Sequence, residues 1–293
     1  MCIRDRFGHT NQLFLCVGAL ASLGGYLSVI LVRDLKLASP AALGLATVAA
    51  AATGGFLSYV SVRRGFGVLF VGIVTLAVSL IVHNLLLGLR DLTNGETGIV
   101  TRGLGMGLGD HPLRAYYVLL AVVVASLAAY RWLFGSRHGA ALHALSEDEV
   151  SAELSGIDVT RYKVACATGA SALVGLVGAL YADLNGFISP SVYAVGHVDI
   201  PVLVALLLGG MRTLLGPVVG AALFSVVDEL VRPFGQLTVL AYGVLLVALF
   251  LLFRQGVVPV VQSALGRRVS ALRAPSSRTA AKEEVAGGTE AGR

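Results

Sequence analysis

Long apolar runs are the feature that most limits how this chain can fold. A helix of about 20 apolar residues is long enough to cross the hydrocarbon core of a bilayer. Runs close to that length lie at residues 11–32, 39–60, 66–87, 113–134, 164–184 and 235–253, and shorter ones lie at residues 200–211 and 214–227. Hydrophobic residues make up 56% of the 293 and charged residues 13%, against about 25% charged in soluble domains. The sequence therefore predicts an all-α, polytopic integral membrane protein with about eight transmembrane helices.

A charged block, GSRHGAALHALSEDEVSAELSGIDVTRYK at residues 135–163, interrupts these runs. Ser146 and Glu149 have the spacing of a capping box, in which each side chain bonds a free backbone N–H at a helix start. The carboxylates of Glu147 and Asp148 would complement the dipole of the same first turn, and Gly156 would end the helix. The pattern predicts a short polar helix between two spans, which is either a solvated connector or a contact with a soluble partner.

Positive charges predict which helix ends face the cytoplasm. If successive spans alternate in direction, the basic residues at 63–64, 131–163 and 212 and those of the tail 255–293 fall on one side. Lys and Arg accumulate on the cytoplasmic side of membrane proteins. The tail accounts for much of the net charge of +5 and is rich in Ala, Ser, Glu and Gly, which predicts a basic, disordered cytoplasmic segment.

A helix break is predicted where the two short apolar segments meet. Gly209 and Gly210 end the first segment, and Gly216 and Pro217 begin the second. Such breaks at membrane depth require that protein or a water-filled cavity satisfy the freed backbone groups, and they often mark a translocation path. A plain tight hairpin is the equally favoured alternative.

Polar residues near span ends are further pathway candidates: His83, Asn84 and Asp183. Ionisable groups within a membrane usually serve function, but each of these is predicted near a boundary, where hydration of the side chain costs little. Gly175 and Gly178 share one helix face and predict helix packing in preference to ligand contact. The predicted spans contain no deeply buried carboxylate or lysine, which argues against a proton-coupled carrier.

Motifs of soluble enzymes are missing from the sequence. There is no G-x-x-x-x-G-K-[ST] phosphate-binding loop and no H-E-x-x-H zinc motif, and the three cysteines have no paired spacing. We therefore predict a chain that is not an enzyme, with no cofactor, no metal site and no nucleic-acid partner.

Three stretches of the chain resemble one transporter family. The stretch that begins SRHGAALHALSEDEVSAELSGIDVTRYK and ends VDIPVLVALLLGGMRTLLGPVVGAALF resembles the core of bacterial branched-chain amino-acid ABC permeases of the LivM type. The stretches GVLFVGIVTLAVSLIVHNLLLGLRDLTNGETGI and FGHTNQLFLCVGAL are similar to earlier parts of the same proteins. The resemblance covers roughly residues 7–253.

The resemblance implies a permease domain at residues 7–254 in the bacterial cytoplasmic (inner) membrane, with a cytoplasmic coupling helix at about residues 146–156. In such permeases this helix docks on a separate ATPase subunit. The docking role would fall to residues of the charged block: Ser146, Glu147, Asp148, Glu149, Glu153 and Gly156. The implied partners are ABC ATPase subunits, a second permease subunit in a heterodimer, and an extracytoplasmic solute-binding protein.

The start of the chain departs from the family. The first span and a half expected ahead of Gly8-His9 is missing, which predicts an N-terminally truncated chain. Residues 1–6, MCIRDR, resemble the translation of a transposase adaptor left in sequencing libraries, and we expect them to be foreign.

The substrate and the transport class stay open at this point. Branched-chain amino acids (leucine, isoleucine or valine) are the first interpretation, and urea or short-chain amides are the alternative within the family. A stand-alone secondary transporter is the alternative from another class, and a membrane enzyme is the least favoured because no catalytic set is found.

Overall fold

The computed structural model describes residues 14–101, 111–210 and 216–231. Five long helices are α1 (Val17–Leu35), α2 (Ser39–Arg63), α3 (Val68–Gly88), α5 (Pro112–Phe134) and α8 (Val159–Asn185). The shorter helices are α4 (Arg90–Thr93), α6 (Arg137–Glu147), α7 (Glu149–Leu154), α9 (Asp199–Gly209) and α10 (Gly216–Val231). Two strands, β1 (Ile99–Val100) and β2 (Phe187–Ile188), and two 3-10 turns, Gly95–Thr97 and Pro190–Tyr193, complete the described residues.

The predicted fold class is confirmed. Each of the five long helices is apolar and long enough to cross a membrane, and α9 and α10 coincide with the two shorter apolar segments. The predicted span at residues 235–253, the tail at 255–293 and residues 1–6 lie outside the described residues.

The predicted span at residues 164–184 is part of a longer helix. α8 begins at Val159 because the carboxylate of Asp158 accepts a hydrogen bond of 3.0 Å from the backbone N–H of Arg161. It ends at Asn185, where Gly186 takes a φ of 61°, which residues with a Cβ adopt rarely. A capped polar turn therefore extends α8 beyond its apolar run.

Helices α1, α2 and α8 pack together through small residues. A Cβ added at Gly24 of α1 would overlap the backbone of Gly175 in α8, and a Cβ added at Gly175 would overlap the side chain of Ala50 in α2. Gly178 lies against the backbone of Ala21 in the same way. Van der Waals contact is a main source of helix association in membranes, and small residues permit it. The prediction that Gly175 and Gly178 form a packing face is confirmed.

The same contacts give the relative direction of α2 and α8. Gly55, late in α2, lies against Thr168, early in α8, whereas Ala50 lies against Gly175. The two helices are therefore antiparallel. The last residue of α2, Arg63, thus lies on the side of the bundle where α8 begins, which we call the α7 side. This arrangement agrees with the grouping of residues 63–64 with the charged block.

A short strand pair lies at the opposite side of the bundle. β1 and β2 are antiparallel, with Ile99 opposite Ile188. Both side chains are buried in one cluster with Tyr26 of α1 and Leu86 of α3. The pairing therefore ties the connection between α3 and α5 to the segment that follows α8.

Helices α9 and α10 form a tight hairpin. Gly209, the last residue of α9, lies against the backbone of Gly216, the first residue of α10. Gly210 has a φ of 95°, and Pro217 lies in the first turn of α10, where proline is tolerated. The predicted break at these four residues is confirmed, and the close contact favours its interpretation as a hairpin. Residues 211–215 lie outside the described residues.

Candidate functional site

The charged block forms two helices, and its predicted capping box is wrong. Ser146 lies inside α6, which ends at Glu147. Asp148 is the residue that caps α7: its carboxylate accepts hydrogen bonds from the backbone N–H of Val150 at 3.0 Å and from the hydroxyl of Ser151 at 2.6 Å. These two bonds lower the pKa of Asp148, the Ser151 hydroxyl contributing most. The carboxylate caps α7 better than Ser146 because it sits where the backbone turns out of α6.

The end of α7 matches the prediction for Gly156. This residue has a φ of 82°, and its N–H donates to the carbonyl of Glu153 at 2.9 Å. The N–H of Ile157 donates to the carbonyl of Ala152 at 3.1 Å. Together these bonds form a Schellman motif, which satisfies the last carbonyls of a helix and favours glycine at the left-handed position.

An ion pair joins α7 to the first turns of α8. Lys163 Nζ lies 2.6 Å from Glu149 Oε1, and the two side chains are 8% and 40% exposed. The lysine charge is thus almost fully removed from water, and Glu149 is the acid that neutralises it. A displacement of α7 would therefore be passed to α8 through this contact. A second link lies nearby, where His138 Nδ1 and the Tyr162 hydroxyl are 3.3 Å apart.

Two apolar side chains project from α7 into solvent. Val150 is 65% exposed and Leu154 is 85% exposed, and residues four apart lie on one face of a helix. Glu147 and Glu153 are also exposed beside them. An apolar pair with an acidic border is a surface suited to contact with another protein. Sequence reasoning missed the apolar pair because it considered only the carboxylates.

Asp199, the first residue of α9, forms a buried polar cluster between three helices. It is 1% exposed. Its Oδ1 accepts a hydrogen bond of 2.9 Å from the backbone N–H of Gly18, and its Oδ2 accepts one of 3.0 Å from the hydroxyl of Ser79. The N–H groups in the first turn of a helix have no partner within the helix. Asp199 therefore caps the start of α1, although it lies in a distant segment of the chain.

The position of Ser79 along α3 shows where this cluster lies within the helix bundle. Ser79 lies eleven residues after the first residue of α3 and nine before the last. Since α3 has 21 residues, its length is about 32 Å, close to the roughly 30 Å of a hydrocarbon core. Asp199 therefore lies level with the middle of the helix α3.

Two expectations about buried charge are therefore wrong. Asp183 was expected at a hydrated boundary, but its side chain is 1% exposed, and Asp199 is equally buried. The premise that the spans hold no deeply buried carboxylate does not stand. A sequence signal for Asp199 exists: α9 has only 11 residues, or about 17 Å, which is too short to cross a hydrocarbon core of about 30 Å.

The other pathway candidates are not brought together. Asn84 is exposed on α3, and its Nδ2 donates to the carbonyl of Leu80 in the same helix at 2.8 Å. His83 is half-buried beside it. Gly209 and Gly216 serve the α9–α10 contact. Among the residues that the structure describes, no cluster of three His, Cys, Asp or Glu side chains could hold a metal ion.

Comparison with known proteins gives the family. The chain matches the family model described as branched-chain amino acid transport system / permease component over residues 6–253. It is 30% identical over 285 residues to the high-affinity branched-chain amino acid transport system permease protein LivM of Salmonella typhimurium (strain LT2), and equally identical to that of Escherichia coli (strain K12).

In both comparisons the match covers 88% of this chain but only 66% of the relative. The probable branched-chain amino acid transport permease protein LivH of Methanocaldococcus jannaschii is 24% identical over 232 residues, which are 76% of this chain and 72% of that protein. No solved structure matches the chain. With its membrane-spanning helices and a family match over most of its length, this chain belongs to the family of permease components of branched-chain amino acid transport systems.

Proposed function

We propose that the chain is a transmembrane permease subunit of an ATP-driven ABC importer that carries leucine, isoleucine and valine into the cytoplasm. It would work in the bacterial cytoplasmic membrane with ATPase subunits, a second permease subunit and an extracytoplasmic solute-binding protein. The names of the relatives support the substrate class, and the match to a permease family supports the need for partners that supply energy.

The observation that carries this proposal is the ion pair between Glu149 and Lys163. In an ATP-driven importer the permease must receive a mechanical signal from a soluble subunit. The helix α7 lies outside the apolar part of α8 and is joined to α8 by a contact of 2.6 Å between the buried ammonium of Lys163 and the half-buried carboxylate of Glu149. A solvated connector would not need a buried charge pair at this place.

The exposed face of α7 would be the surface that contacts the ATPase. Val150 and Leu154 would enter an apolar groove of the ATPase, and Glu147 and Glu153 would meet basic residues at the rim. Apolar anchors at the centre of an interface carry most of the affinity, while charges at the rim mainly affect specificity and association rate. Glu149 would act within the permease, since Lys163 already occupies its carboxylate.

The motion would then pass through the helix bundle. Closure of the ATPases would displace α7, the ion pair would move α8, and the close contacts at Gly175 and Gly178 would move α1 and α2 with it. Packed elements without gaps shift as rigid bodies between discrete arrangements, which is the behaviour that alternating access requires.

The test is uptake of radiolabelled leucine into proteoliposomes that contain the chain together with ATPases, a second permease and a binding protein of the same transport system. We expect uptake that requires both ATP and the binding protein, and competition by isoleucine and valine. Uptake of urea or a short-chain amide in place of leucine would show that the substrate is the alternative one within the family. Uptake by the chain without ATP or partners would make it a secondary transporter and refute the proposal.

A further inference from the structure

A cavity of about 570 Å³ opens between α1, α8 and the segment that follows β2. This volume falls within the roughly 300–1,000 Å³ that is usual for small-molecule sites. Its walls include three aliphatic and three polar side chains, namely Val177, Val192, Val198, Tyr181, Ser191 and His197. None of the described side chains that line it belongs to Asp, Glu, Lys or Arg.

The backbone along one wall of the cavity is not helical although it lies at membrane depth. After β2 the chain passes through the 3-10 turn at Pro190–Tyr193 and reaches Asp199, whose carboxylate lies near the middle of α3. On the way, the carbonyl of Tyr193 lies beside Gly18 at the start of α1. Irregular backbone at this depth is tolerated only where it is buried in protein or lines a water-filled cavity. Ser191 and His197 are exposed and line the cavity, so this wall presents polar side chains that water or a polar solute can bond.

The lining selects a chemical class of ligand. A cavity lined by no described Asp, Glu, Lys or Arg side chain would not compensate the charge of a bare ion. A solute that carries no net charge fits better, because its polar ends can bond Tyr181, Ser191 and His197. The valine side chains at 177, 192 and 198 offer an apolar surface. Burial of an aliphatic group against this surface would stabilise binding by about 25 cal/mol per Å² of apolar area.

We propose that this cavity is a binding site, inside the membrane, for a zwitterionic amino acid with a branched aliphatic side chain. The inference rests on the proposed function and adds to it a place where the permease itself contacts the solute. Val177 is 44% exposed and Tyr181 is 40% exposed, so both side chains are accessible for contact. Specificity would then be shared between this site and the binding protein.

The experiment measures whether the cavity is wet and whether leucine occupies it. The three cysteines of the chain, Cys2, Cys16 and Cys166, are replaced by alanine in the complete reconstituted importer, and Val177→Cys is introduced. A membrane-impermeant thiosulfonate reagent is applied with and without leucine. The matched control is Ile81→Cys, which is on α3, 64% exposed and not part of the cavity wall.

We expect Val177→Cys to react and Ile81→Cys to stay unmodified. Leucine at ten times its dissociation constant should slow the reaction about elevenfold, because only unoccupied sites react. A cysteine at 177 that reacts no faster than the one at 81, or that leucine does not protect, overturns the proposal. Protection by urea and not by leucine overturns the ligand class.

A second variant tests the site without chemical labelling. Val177→Phe fills part of the cavity and should lower leucine uptake about tenfold or more, since added volume in a bounded site is poorly tolerated, while Ile81→Phe leaves uptake unchanged. The absence of ATP-dependent leucine uptake by the importer without any substitution would instead refute the proposed function. Normal uptake by both phenylalanine variants refutes the cavity site alone.

Discussion

Removing the carboxylate of Glu149 should loosen α7 more than any other single charge change in the charged block. In Glu149→Gln the ammonium of Lys163, 8% exposed, is left in a buried place without a counter-charge. In Lys163→Met the remaining carboxylate is 40% exposed and can be hydrated. Glu149→Gln should therefore destabilise the attachment of α7 more than Lys163→Met does.

The size of the effect follows from the burial of the two groups. An exposed ion pair contributes about 0–1 kcal/mol, and loss of one partner from a fully buried pair costs about 3–5 kcal/mol. With one buried and one half-buried member at 2.6 Å, we expect about 2 kcal/mol for Glu149→Gln. That corresponds to about a thirtyfold change in an opening equilibrium.

Amide hydrogen exchange over α7 in the reconstituted importer is the assay, since local opening appears there directly. Glu149→Gln should exchange about thirtyfold faster, Lys163→Met should change less, and the double variant should resemble Lys163→Met because no buried charge remains. The same Glu149→Gln importer should hydrolyse more ATP per leucine transported. Glu153→Gln, an exposed acid on the same helix, is the control.

Equal exchange in Glu149→Gln and Glu153→Gln would refute the claim that the ion pair holds α7 to α8. Faster exchange without any change in the ratio of ATP hydrolysed to leucine transported would refute its role in coupling, and would leave it a structural contact.

Four further outcomes test other parts of the molecule. Asp199→Ala removes both acceptors of the buried cluster and should cost about 1–3 kcal/mol, seen as a lower midpoint of thermal unfolding in detergent. Gly175→Val should abolish the packing of α8 and reduce the yield of folded protein, whereas Gly169→Val, with no atom within 4 Å of its added Cβ, should fold normally. Leu154→Ala removes an anchor and should weaken ATPase binding about tenfold, since a buried leucine contributes about 1.5–3 kcal/mol, and a pull-down titration measures this. The hydrogen bonds of Asp148 lower its pKa, so its cap stabilises α7 above the unfolded pKa of about 3.9. This stabilisation is lost as the pH falls through the lower pKa of the folded state. Amide exchange over α7 should therefore rise at that pH in the unsubstituted protein, but not in Asp148→Asn.

The fold class and most helix bounds were predictable from the sequence because they depend on local properties. A run of apolar residues of sufficient length must be a helix in a bilayer, since no other local structure satisfies its backbone there. Gly156 and Gly186 can end helices regardless of how those helices pack, because glycine itself readily adopts the left-handed backbone conformation. The family could be inferred for the same reason, from contiguous stretches of residues.

The site depended on contacts between distant residues, which no local pattern contains. Ser146 and Asp148 are both good caps, and only the turn between α6 and α7 decides that Asp148 is used. Lys163 meets Glu149 because α7 folds back on α8, and Asp199 becomes a buried group because α9 begins beside Gly18 and Ser79.

Local patterns in the sequence therefore predict a set of membrane helices, their approximate ends and the family. Only the packing of the helices shows which charges are neutralised inside the protein and which stay exposed. The physical reason is that hydropathy and helix ends depend on neighbouring residues, whereas the burial of a charge depends on how distant segments pack around it.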